Sequence, residues 1–351
     1  MKEQIRTKCE LLTKNRTSIA DKFMFENGLM SVAAGLIYTE ADKEADVDRL
    51  AACRKILKNS TGVFSTFRKT VELALLSKMA LSENPEKYLS DVKTVYEKVR
   101  DGKIMDNSYM ILSSILICDQ GKQDSADEII ARYNEIMKRM NKEHPVLTTS
   151  EDISYAMLLA LSGRDIDAII SDMEECSNYL KKTCKMKADS NSIQGLSEVL
   201  ALTDGDIKAK CDKVFTIFNT FADRKADFGT KYELSALGAL TDIHIDTDAL
   251  VDEIIEVEGF LKESKGFQKS SMDREKRLMF ATLLVAQNYR QESSVISNSL
   301  ISSTLEIIKT NQVSMMISVA TSLASPLAQL LEAATKSSED KSDHESDTTE
   351  K

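Results

Sequence analysis

Seven short apolar cores recur along this chain at steps of roughly 37–45 residues, and that recurrence limits the possible folds more than any other feature. They read LMSVAAGLIY (29–38), ELALLSKMAL (72–81), YMILSSILIC (109–118), SYAMLLALSG (154–163), QGLSEVLALT (194–203), ELSALGALTD (233–242) and RLMFATLLVA (277–286). Each is apolar around most of a helical circumference and rich in small residues, the pattern of a helix packed on several sides. Between them lie segments of a second kind. In 126–140 the apolar positions are Ala126, Ile129, Ile130, Tyr133, Ile136, Met137 and Met140. In 166–180 they are Ile166, Ile169, Ile170, Met173, Cys176 and Leu180, and in 207–221 they are Ile207, Cys211, Val214, Phe215, Phe218 and Phe221. Steps of three, four and seven gather such residues on one helical stripe and leave the other side charged. A chain that alternates the two kinds predicts an all-α fold of about seven stacked helix hairpins of roughly 40 residues, α-solenoid-like, with a closed α/α toroid as the alternative.

Charge marks the ends of the one-sided segments. They open with acids (Asp46 and Asp48, Asp124 and Asp127, Asp165 and Asp167, Asp204 and Asp206, Asp246 and Asp248) and close with bases. Both choices complement the helix dipole. Thr149 with Asp152 and Thr230 with Glu233 have capping-box spacing and predict starts for two of the buried helices. Three prolines and 12 glycines in 351 residues leave little turn chemistry for a sheet, so almost no strand is expected.

One repeat domain is expected over 1–335, with an acidic, hydroxyl-rich and disordered tail over 336–351. Residues 310–331 carry no charge, which raises a membrane anchor as an alternative function. Their many Ser and Thr residues, an internal proline and two glutamines instead fit a helix closing the end of the stack. The opening MKEQIRTKCELLTKNR has no continuous apolar run, so no secretory signal is read and the expected compartment is the cytoplasm.

The stretches KNRTSIADKFMFENGLMSVAAGLIY (14–38) and HPVLTTSEDISYAMLLALSG (144–163), with the small-residue-rich helix near the C-terminus, resemble a bacterial family of uncharacterised proteins, domain of unknown function 4003. The resemblance covers nearly the whole ordered chain. It implies a bacterial cytoplasmic protein and supplies no activity, cofactor or functional residue.

Chemical signatures are scarce in the chain. No phosphate-cradling GxxxxGK[ST], GxGxxG, HExxH or GxSxG occurs. His144, His244 and His344 are about a hundred residues apart, so none form the paired spacing of a helical metal site. His144-Pro145 reads as a helix terminator. Six cysteines (Cys9, Cys53, Cys118, Cys176, Cys184, Cys211) lack a CxxC pair and read as small hydrophobes, neither zinc ligands nor a disulfide framework. The acids are explained as caps, so no catalytic residue, metal or cofactor is assigned. A net charge of −10 argues against nucleic acid as a partner. The paired bases Lys138, Arg139, Lys181, Lys182, Arg224, Lys225, Lys262 and Lys265 would line one rim of a stack, opposite the acidic starts, and form the candidate surface for an anion or partner. The leading expectation is a non-catalytic interaction or scaffold protein with a protein or peptide partner, and the alternative is an enzyme with a central cavity in a toroid.

Overall fold

The computed structural model describes residues 1–24, 26–101, 107–143 and 152–296, with side chains described as far as Tyr289. Among them every regular element is helical and no strand occurs. The two predicted kinds of helix alternate. The apolar cores form α2 (Gly28–Glu40), α4 (Glu72–Leu81), α6 (Ser108–Asp119), α8 (Asp152–Leu161), α10 (Ser190–Leu200), a 3₁₀ segment (Tyr232–Leu240) and α13 (Arg274–Ile296). All ten residues of α8 are buried. The one-sided helices are α3 (Val47–Ser60), α5 (Pro85–Arg100), α7 (Ala126–Glu143), α9 (Ile166–Asn178), α11 (Ile207–Asp223) and α12 (Thr247–Glu263). In α7 the buried residues are Ala126, Ile129, Ile130, Tyr133, Ile136 and Met140, one stripe as the spacing requires.

The acids at the helix starts cap them. Asp46, Asp165, Asp206 and Asp246 each accept a backbone N–H in the first turn of α3, α9, α11 and α12. Each such cap contributes about 1 kcal/mol by satisfying a donor that the helix cannot. Before α5 the same task falls to Asn84, with Pro85 at the first helical position where its missing N–H costs nothing.

Two local expectations change, and one helix was not foreseen. On α11 the inward stripe includes Ile217, fully buried, while Phe215 and Phe218 are half-buried on its flank. Six apolar positions span more of the circumference than a neighbouring helix covers, and the 3.6-residue turn gives the centre to Val214, Ile217 and Phe221. The Thr230 and Glu233 box does not form. Tyr232–Leu240 starts without a side-chain cap, winds as 3₁₀ helix, and buries Glu233. Its tight winding accompanies a close approach to α10, where a Cβ on Gly238 would lie 2.5 Å from Val199 Cγ1. The charged N-terminus is a long helix, α1 (Glu3–Lys22), buried along Ile5, Cys9, Leu12, Asn15 and Ile19.

That first helix decides the architecture. One-sided helices pack in chain order, α1 on α3, then α5, α7, α9, α11 and α12, and α12 packs back on α1. The buried helices follow the same course, with α2 on α4, then α6 on α8, α10, the 3₁₀ segment and α13, and α13 also meets α1. Between the ends, the terminal amino group pairs with Glu256, Lys265 lies 3.2 Å from Asp21, and Arg6 sits over the Phe260 ring. No helix among the described residues is long and apolar enough to cross a membrane. Residues 310–331, the acidic tail, the His144-Pro145 terminator, His344 and the Thr149 cap lie outside the described residues.

Candidate functional site

The buried helices carry polar side chains whose spacing sends them to one place. Asp152 and Tyr155 stand one turn apart at the start of α8, and Gln194 and Glu198 one turn apart on α10. The 3₁₀ segment adds Ser235, and α6 adds Tyr109. All six are buried, Glu198 completely.

Glu198 Oε1 accepts from Gln194 Nε2 at 3.3 Å, while Oε2 meets no N–H or O–H donor. An ionised oxygen in that setting would cost several kcal/mol. The setting favours the protonated carboxyl, with Asp152 beside it. Burial first, then the negative charge of Asp152, push its pKa well above the carboxylate range. The Gln194 hydrogen bond opposes the rise and the bond to Asp152 adds to it. Tyr155 is likewise held protonated, chiefly by burial, with its hydroxyl bonded to Ser235 and Glu198, Asp152 and Tyr109 near it. Each of these neighbours belongs to a buried helix, and none to a one-sided one.

Chemically the cluster offers a proton on Glu198, an acceptor in Asp152, the unpartnered amide oxygen of Gln194, and hydroxyls. Among the described residues no histidine takes part, since His244 lies exposed in the loop before α12. Among the described residues no group of three or more His, Cys, Asp or Glu could hold a metal ion. A second buried acid, Glu233, is raised to about 7 by burial, against the nearby positive charge of Lys276.

The predicted basic rim is placed differently from the expectation of two opposite rims. Bases at the end of one helix meet acids at the start of the next. Arg139 pairs with Asp167 and, at 2.8 Å, with Glu135. Arg224 reaches Asp248 at 2.6 Å and Asp252 at 2.8 Å. Adjacent one-sided helices are staggered, so their unlike ends lie side by side. Lys138 stands 3.7 Å from Glu135, and Lys265 is paired with Asp21. Lys181 and Lys182 fall in a π-helical turn (Tyr179–Thr183), half-buried and exposed respectively. Lys225 is exposed with φ 54°, and Lys262 has only a 3.9 Å approach to Glu263. Lys182→Ala should change stability by less than about 0.5 kcal/mol, checked by denaturant titration, because no buried contact is lost.

Sequence reasoning missed the carboxyl cluster, whose members looked like caps or core positions. It also missed Cys176 and Cys211, both fully buried on neighbouring α9 and α11, where Cys211 donates its S–H to Cys176 Sγ at 3.2 Å. Their positions on the apolar stripes of consecutive one-sided segments were the available signal. A family model described as a protein of unknown function (DUF4003) matches residues 16–313. No curated protein and no solved structure matches the chain.

Proposed function

We propose that this chain, which belongs to the DUF4003 family of proteins of unknown function, closes its helix pairs into an α/α ring and binds a small polar ligand on the inner wall at Asp152 and Glu198. The ring reading rests on α12 and α13 packing against α1, since an open stack would leave its first and last units apart. The site reading rests on one observation: a completely buried Glu198, its Oε2 without a hydrogen-bond partner among the described residues, lies close to the buried Asp152 in a cluster built only from buried helices. Groups that face away from the outer layer line the inside of such a ring. A neutral acid beside an acceptor suits a ligand carrying both hydrogen-bond donors and acceptors. The reading includes a cytoplasmic setting, in keeping with the close, free thiols of Cys176 and Cys211.

Equilibrium dialysis of the purified protein against a metabolite pool tests this. The wild-type protein should retain a small polar molecule that Glu198→Ala and Asp152→Asn release, while both variants keep a cooperative melt. Equal retention by all three, or by none, removes the inner wall from consideration.

A second reading, a scaffold for a protein or peptide, is favoured by Phe64, 92 % exposed, with Val63 and Met24, each more than 70 % exposed. All three lie on connections from a one-sided helix to the next buried one, hence at one end of the fold. Ser substitutions at Val63 and Phe64 should abolish partner capture if that end is the docking face, and leave it intact otherwise.

A further inference from the structure

Where the last units meet the first, a cleft of about 820 Å³ opens between α12, the connection into α13 and the start of α2. Its volume suits a small organic molecule. Its charge is one-sided. Five bases line it (Lys262, Lys269, Arg274, Lys276 and Arg277) against two carboxylates, Glu258 and Asp273.

Both carboxylates are already matched. Glu258 receives Arg277 Nε at 2.6 Å, and Asp273 receives Lys276 Nζ at 2.6 Å and the Lys276 backbone N–H at 2.8 Å. These pairs leave Lys262, Lys269 and Arg274 in excess. Lys269 makes no ion pair among the described residues, and Lys262 has only its distant approach to Glu263. Arg274 donates to the Lys225 carbonyl at 2.8 Å and stands 3.7 Å from Glu258, already claimed by Arg277. A chain of net charge −10 thus gathers uncompensated positive charge in one concavity.

The backbone adds to the same field. The starts of α2 and α13 both border the cleft, bringing the positive ends of two helix dipoles to it. At Gly28, the first residue of α2, a Cβ would meet no atom within 4 Å, so the chain there is open to a ligand. Ser270 and Ser271 supply hydroxyls on the facing wall.

We propose that this cleft binds a small organic phosphate, with the phosphoryl group held by Lys269, Arg274 and the start of α2. Three excess cations with hydroxyls and helix starts suit a multiply charged tetrahedral anion better than a single carboxylate. The volume beyond the phosphate accommodates the group it esterifies. This inference is independent of the inner-wall reading, because the two sites share no residue.

Calorimetric titration of the full chain tests it, with inorganic phosphate, adenosine monophosphate and adenosine as probes at constant ionic strength. Saturable binding of the two phosphate-bearing probes, but not of adenosine, is expected. Tighter binding of the monophosphate identifies an ester as the occupant, and equal binding identifies free phosphate. Lys269→Glu alters only an exposed side chain and should weaken binding at least about tenfold with the melt unchanged. Arg274→Glu should weaken binding as well, with some loss of stability because it gives up the Lys225 carbonyl and sets a carboxylate beside Glu258, and Lys138→Glu, on a distant one-sided helix, should leave binding unchanged. Binding that survives Lys269→Glu, falls equally with Lys138→Glu, or is matched by adenosine overturns the proposal.

Discussion

Arg277→Met should cost the fold about 3–5 kcal/mol in denaturant titrations, the loss typical of breaking a buried ion pair from one side. Arg277 and Glu258 are 4 % and 6 % exposed at their side chains, with Nε 2.6 Å from Oε1. The guanidinium also donates to the carbonyls of Phe267, at 3.3 Å, and Met272, which end the connection leading into α13. Removing it leaves an ionised carboxylate in a nearly dry site, with Arg274 at 3.7 Å as its remaining cation, and strips those carbonyls of a donor. The doubly substituted Glu258→Gln/Arg277→Met protein should recover most of the loss, because it removes the buried charge together with its partner. A single-variant cost below about 1 kcal/mol would show that the pair is well solvated, and that Glu258 and Arg277 do not organise the junction of α12 with α13.

The alternation of helix kinds was legible in the sequence because it depends on local physics. Apolar steps of three and four residues set the stripe of α7, and acids at helix starts cap α3, α9, α11 and α12 wherever the chain goes next. The packing of α12 and α13 back on α1 was not legible, because it depends on a helix far away in the chain. The Ile5, Cys9, Leu12 and Ile19 stripe says that this helix is covered on one side. It does not say that α12, some 240 residues later, joins α2 in doing so. The same limit hid the carboxyl cluster. Asp152 at a helix start and Glu198 inside an apolar core each have an ordinary local explanation, and only the juxtaposition of α8 with α10 brings the two carboxyls together. The pairing of Arg139 and Arg224 was hidden for a related reason. Spacing places Arg139 and Arg224 at helix ends correctly, yet the stagger of neighbouring helices brings them to the acids of the next start.

Glu233→Gln should remove a pH dependence worth about 3 kcal/mol, the product of the pKa displacement and the free energy of one unit. Glu233 is 2 % exposed, faces Lys276, Glu275 and Asp273 from α13 and its approach, and has its pKa raised by burial from 4.5 to about 7. Below pH 4.5 the carboxyl is protonated in folded and unfolded chains alike and contributes no difference. Between pH 4.5 and 7 the unfolded chain releases the proton while the folded chain retains it. Stability therefore falls as pH rises across that window, and the full loss persists above pH 7. Glutamine copies the neutral form at every pH. Denaturant titrations at pH 4.5, 6 and 7.5 should thus find the variant gaining on the wild-type protein step by step, with the largest gain at 7.5. A constant difference across the three would mean that Glu233 ionises normally and is reached by water. The variant also bears on the cleft between the first and last units. Lys276 lies near Glu233 and lines that cleft, so a Glu233 that ionises near neutrality adds negative charge beside the proposed phosphate site. Phosphate affinity should then weaken as pH rises from 6 to 8 in the wild-type protein, by more than in Glu233→Gln.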